Sequence, residues 1–222
     1  MSAPLHPLLA PYVAAVLARD QTEALRIVVV DGVHRGLAVR ELNLDVVAAA
    51  QREVGRLWQE NRISVADAHQ ATAISQVVLA HLYPSLERAP RLDRKIMIAC
   101  VEGELHDMAA RIATDLLDSF GFDTIYVGLN CPTAELVPRI RSAGADALAL
   151  SVTMAFHVAT ARRAVAYLRG ELGPAFPILI GGEAVIAIGN DASFDGAIVS
   201  RGTAADLAKR LRLLLGIDDV GA

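Results

Sequence analysis

The sequence is short of cysteine, tryptophan and long uncharged runs. Its 222 residues include 2 cysteines and 1 tryptophan, and aromatic residues make up 5% of the chain. Cys100 and Cys131 lie far apart, each beside apolar residues, so no disulfide framework is expected and a reducing, cytoplasmic setting is. No run of Lys or Arg stands out, and a net charge of -4 provides no field to gather a polyanion, which argues against direct nucleic-acid binding. No uncharged stretch reaches the length of a membrane span. The amino-terminal segment MSAPLHPLLAPYVAAVLARD is apolar but lacks a basic flank and holds three prolines, so neither insertion nor export is expected. What the chain has in quantity is aliphatic side chain: 54% of residues are hydrophobic, enough for one large core or two small ones.

Those apolar residues change their spacing near Pro90. Before it they recur at three and four, amid alanine and leucine, which predicts helices near Pro7 to Arg19, Thr22 to Arg35, Leu42 to Asn61 and Val65 to His81. Ser64 with Asp67 three residues later is a capping-box pattern, so NRIS ends one helix and Ser64 opens the next. The segment YPSLERAPRLDR, with two prolines and mixed charges, reads as a linker. From Lys95 onward, short apolar runs (KIMIACV, TIYVGL, ALALSVT, FPILIGG, GAIVS) alternate with helical stretches. That alternation predicts a doubly wound parallel five-stranded sheet, giving an α/β chain with a helical domain over residues 1–90 and a second domain over 91–222.

In such sheets, ligands sit beyond the carboxyl ends of the strands. Polar residues gather at three of those ends. After the first strand, Glu104 and His106 stand one residue apart, followed by Asp107, and a carboxylate so placed can orient an imidazole and raise its basicity for metal ligation. Ser151 and Thr153 follow the third strand, and Gly181 and Gly182, which keep side chains away from an approaching ligand, follow the fourth. Each feature alone has a plainer reading: a helix-capping Glu-His pair, a strand-end Ser/Thr, a glycine pair that permits a turn. His157, after the third strand, reads either as a pocket residue near these strand ends or, the preferred reading, as a polar group at a helix start, and His6, His34 and His81 read as surface residues.

Taken in order, ELHDMA, SVT and GG resemble the Asp-x-His-x-x-Gly, Ser-x-Leu/Thr and Gly-Gly motifs of the cobalamin-binding domain found in methionine synthase and corrinoid proteins. The resemblance implies a flavodoxin-like B12-binding fold with His106 as the lower axial ligand of cobalt. It also implies Glu104 as the orienting carboxylate, Asp107 beside them, Ser151 and Thr153 as contacts to the nucleotide tail, and Gly181 and Gly182 as the wall of its slot. Two positions depart: Glu104 stands where Asp is usual, and Ala109 where Gly is usual.

The helical part resembles the four-helix bundle cap of the same superfamily. One branch, the adenosylcobalamin-dependent photoreceptor regulators, carries Trp-x9-Glu-His in that cap. Here WQENRISVADAH places Trp58 and His69 at that spacing, with Ala68 where Glu is usual and Gln59 where some members carry a histidine. By this resemblance Trp58 and His69 lie over the upper face of the cofactor. The implied function is that of a light-sensing module that binds adenosylcobalamin and has no DNA-binding domain of its own. It would signal through self-association as a homo-oligomer, or through a separate signalling or transcription-factor protein. The alternative is a corrinoid methyl carrier, binding methylcobalamin and serving methyltransferase partners; a third reading is a module that stores or senses cobalamin. The residues show no catalytic acid-base pair.

Overall fold

The computed structural model describes residues 6–189 and 193–217. The chain divides into two compact units, Met1–Glu87 and Arg88–Ala222.

The described part of the first unit is helical. Helix α1 is Leu9–Leu17. Helix α2 runs over residues 21–30, beginning as Gln21–Leu25 under an Asp20 cap and loosening into a π-helical stretch, Arg26–Val30. Helix α3 covers residues 39–59, with a second π stretch at Leu42–Ala48, and α4 is Val65–Leu82. Tyr12, Val28, Leu42, Val46, Ala50, Val78 and Leu82 are fully buried between them, each large aliphatic side chain contributing about 2 kcal/mol.

Two departures from the periodicity reading have local causes. The second helix stops at Val30 instead of reaching Arg35, because Gly32 leaves helical geometry (φ -96°, ψ -84°) and a separate 3-10 turn, Val33–Arg35, follows. The third helix starts at Val39, three residues early; buried Val39 and Leu42 keep the apolar spacing across the charged pair Arg40 and Glu41. The break before α4 follows the sequence pattern. Asn61, in the left-handed region (φ 57°), donates its N–H to the Trp58 carbonyl (2.9 Å), and Arg62 donates to that of Leu57 (2.9 Å), a Schellman closure. Ser64 and Asp67 then form the capping box.

The second unit is the doubly wound parallel sheet. Strand β1 is Lys95–Cys100, followed by α5 (Met108–Ser119), β2 (Asp123–Gly128), α6 (Thr133–Ala143), β3 (Ala147–Ser151) and α7 (Val158–Leu172). Then come β4 (Ile178–Gly181), α8 (Glu183–Ile188), β5 (Ile198–Val199) and α9 (Ala204–Leu214). The strand order is β2-β1-β3-β4-β5, all parallel, with the reversal of winding between β1 and β3. Alternate residues of β1 serve opposite faces: Met97 and Ala99 pack with α6, α7 and α8, and Ile96, Ile98 and Cys100 with α5 and α9. Covered on both sides, β1 and β3 are near-continuous apolar runs, which is why they were legible as strands.

The segment between the last helix of the first unit and β1 is tied down by hydrogen bonds. Ala89 donates to the Ser119 carbonyl (2.8 Å), Leu92 to that of Gly121 (2.9 Å), and Arg91 Nη1 reaches Asp118 Oδ1 (2.6 Å). Cys100 and Cys131 are free thiols. No described helix is long and apolar enough to cross a membrane.

Candidate cofactor site

The parallel register puts the three sequence motifs in one row. Cys100 at the end of β1 pairs with Ser151 at the end of β3, which pairs with Gly181 at the end of β4. The loops leaving these positions therefore rise side by side.

The loop between β1 and α5 is organised around Glu104, whose side chain has no exposed surface. Its Oε1 lies 2.6 Å from His106 Nδ1 and accepts the His106 main-chain N–H at 3.0 Å. Its Oε2 accepts the main-chain N–H groups of Thr153 and Met154, both at 2.9 Å. One carboxylate thus joins the imidazole to the turn after β3, and the extra methylene of Glu over Asp still leaves it in contact with both. Burial alone would raise the carboxyl pKa; the hydrogen bonds from His106 and from these N–H groups outweigh it and hold it at about 2. The same bond to Glu104 raises the His106 pKa, with burial opposing. The His106 side chain is 45% exposed; Nδ1 is the nitrogen engaged by Glu104, so in the neutral ring the Nδ1–H donates to the carboxylate and Nε2 carries the lone pair, and Nε2 makes no hydrogen bond among the described residues. Its carbonyl accepts from Thr153 Oγ1 (3.4 Å) and Cys100 Sγ (3.7 Å). Burial, reinforced by Asp107 and Glu104, pushes the Cys100 thiol up to about 12, so it is a packing residue.

The other motif residues divide by role. Ser151 is 8% exposed and its Oγ is buried with no hydrogen-bond partner among the described residues, a donor left open at the row of strand ends. At Gly182 (φ +108°) a Cβ would stand 2.3 Å from the Val152 carbonyl oxygen, so the turn after β4 passes hard against that after β3 only because the residue is glycine. At Gly181 a Cβ would meet the Ser200 carbonyl at 2.9 Å. Asp107, 4% exposed, is drawn beneath α5, where its Oδ2 accepts from Arg111 Nε (2.7 Å) and the Tyr126 hydroxyl (2.8 Å). Ala109 is exposed on the first turn of α5. His157 stands at the start of α7 as read from sequence, its ring over Gly103, where a Cβ would lie 2.9 Å away. His6 is not a surface residue: its side chain is 7% exposed, and its Nδ1 accepts the Leu8 N–H at 3.1 Å at the start of α1.

The structure therefore brings together Glu104, His106 and Thr153 directly, with Ser151, Gly181 and Gly182 in the adjoining row. Trp58 and His69 belong to the first unit. Trp58 is partly buried in the last turn of α3, and His69 is exposed in the second turn of α4, on the other side of the Schellman break. Sequence reasoning missed Asn130, which clamps the same loop from the turn after β2. Its Oδ1 accepts the Gly103 N–H (2.9 Å), its own N–H donates to the Glu104 carbonyl (3.0 Å), and its φ of 49° lies in the left-handed region. An Asn after an apolar run is the one signal that could have marked it.

A single imidazole backed by a buried carboxylate, a buried hydroxyl and a glycine turn fit a cofactor that brings its metal already held in a ring and extends a polar tail into the protein. That set, on this fold, defines a cobalamin-binding protein with a helical cap and a Rossmann-like domain. Residues 94–212 match the B12 binding domain family, and residues 8–83 match a second B12 binding domain family. The chain belongs to the B12-binding-domain family. A corrinoid protein of Desulfitobacterium hafniense is 23% identical over 164 residues, 71% of this chain and 76% of that protein. The methionine synthase of Mycobacterium tuberculosis is 23% identical over 140 residues, 62% of this chain, and this chain spans only 12% of that enzyme's length. The solved monomethylamine corrinoid protein of Methanosarcina barkeri has a TM-score of 0.75 at 16% identity, over 90% of this chain and 94% of that one. The methanol:cobalamin methyltransferase complex of the same organism gives 0.50 at 20% identity, over 98% of this chain and 83% of that one. These relatives back the methyl-carrier alternative better than the light-sensing expectation.

Proposed function

We propose that this chain is a corrinoid carrier, a subunit that holds cobalamin through His106 and presents it to methyltransferase partners. The observation that carries the reading is the Glu104–His106 contact at 2.6 Å, which engages Nδ1 and supports Nε2 as the nitrogen for cobalt. Bound cobalamin would supply the methyl-carrying chemistry. The chain's own residues do the rest. Glu104 keeps the proton on Nδ1 and, being ionised, makes Nε2 a stronger donor. Ser151 offers its open hydroxyl to the nucleotide tail, Gly181 and Gly182 let the neighbouring turns close against one another beside it, and Thr153 steadies the His106 carbonyl. The names of a methyltransferase complex and of corrinoid proteins among the relatives support a methyltransferase as partner.

The Trp58–His69 spacing is the feature that favours the light-sensing alternative, and it supplies the test. Protein purified in darkness is titrated with methylcobalamin and with adenosylcobalamin, then illuminated and sized by gel filtration, for the natural chain and Trp58→Ala. A carrier binds both forms, loses affinity for both alike in the variant, and elutes unchanged after light. Preferential loss of adenosylcobalamin in Trp58→Ala, with a light-driven change in elution, would sink the carrier reading.

A further inference from the structure

We infer that Tyr126, acting through Asp107, is a positioning residue for His106, an assignment that rests on the cobalt-ligand reading of His106. The imidazole can serve a ring-held metal only if the chain delivers it in one direction, and its own side chain is nearly half exposed. Four hydrogen bonds from three residues restrain His106 itself: Glu104 accepts from its N–H and Nδ1, and Thr153 and Cys100 donate to its carbonyl. The last two hold the peptide that leads into Asp107, and none of them fixes the junction beyond it, where the loop becomes helix α5.

That junction is held by Asp107. It occupies the residue before the first turn of α5, the position where an aspartate ordinarily caps its own helix, yet its side chain makes no such cap. The carboxylate instead turns inward, to 4% exposure, and its Oδ2 takes the Tyr126 hydroxyl at 2.8 Å and Arg111 Nε at 2.7 Å. Tyr126 belongs to β2 and pairs in register with Ile98 of β1. The Arg111 guanidinium lies over the Tyr126 ring, 5.1 Å from its centroid. The start of α5 is thereby stapled to a strand of the sheet one residue after the imidazole. Burial and the neighbouring Asp107 both keep the phenol protonated, so it remains a donor across the range in which the protein is handled.

The test is Tyr126→Phe, which removes one hydroxyl and leaves the ring, Arg111 and all contacts of Glu104. The natural chain and the variant are loaded with cobalamin and reduced to the cobalt(II) state. Electron paramagnetic resonance then reads nitrogen coupling from a protein ligand, and the visible spectrum reads the fraction of histidine-ligated cofactor. The expected result is a fall of about tenfold in the ratio of ligated to unligated cofactor, with the far-ultraviolet dichroism of the apoprotein unchanged. Asp107→Asn should lower the same ratio, and the double variant should be no worse than the more severe single one, since both act through one bond. If the natural chain shows nitrogen coupling and Tyr126→Phe shows the same ratio, the positioning role is wrong and the ligand assignment stands. If the natural chain shows no such coupling, the cobalt-ligand reading fails and takes this inference with it.

Discussion

Glu104 is a carboxylate sealed from water and still ionised, which ties the stability of the loop to pH. Its pKa in the folded chain is about 2 against an ordinary 4.5. A depressed carboxyl contributes stability that is complete above the ordinary value and disappears as pH falls through the folded one, here between 4.5 and about 2, amounting to about 3 kcal/mol. His106 works in the opposite sense. Its pKa is raised above 6.5, so its contribution is complete below 6.5 and fades as pH climbs through the raised value. The pair therefore stabilises the apoprotein most between 4.5 and 6.5. Thermal melting of the apoprotein across pH checks this. Glu104→Gln should flatten the acid limb and His106→Ala the limb above 6.5; variants that parallel the natural chain on both limbs would contradict the pairing. At this scale the Glu-x-His pattern was legible because its members are two residues apart. Asn130 and Tyr126 were not, since Tyr126 reaches the start of α5 from strand β2 and Asn130 reaches the loop from the turn after that strand, and nothing in a linear reading says which of these residues face β1.

Among the elements, the turns are where the sheet is least tolerant. Gly182 combines a φ of +108° with a Cβ position 2.3 Å from the Val152 carbonyl oxygen. Gly182→Ala therefore meets backbone strain and a clash together, and should lower stability by about 3 kcal/mol or more, read as a drop in the melting temperature of the second unit. A variant that melts with the natural chain would mean the turn has room the geometry denies. The glycine pair was read as bare backbone for a ligand; its first duty is to let the turns after β3 and β4 touch. Strands were legible because burial on both faces makes them unbroken apolar runs, and the Ser64–Asp67 cap because its chemistry is local. The π stretches at Arg26–Val30 and Leu42–Ala48 were not legible, since a change of one residue in hydrogen-bond span leaves the apolar spacing almost as it was.

For the whole molecule, two matched segments cover most of the chain, and the class of cofactor follows from them together with the row Cys100, Ser151 and Gly181 at the strand ends. Which upper ligand the cofactor carries was not legible, because Trp58 and His69 record only a spacing, whereas the relatives named for corrinoids and methyltransferases bear on use. The central claim is that this chain holds cobalamin by one imidazole. It is tested most directly by titrating the natural chain and His106→Ala with cobalamin at neutral pH while recording the visible spectrum. The account predicts a histidine-ligated spectrum for the natural chain, and for the variant its loss together with an affinity on the order of a hundredfold weaker. Equal affinity and an identical spectrum in the two proteins would contradict it.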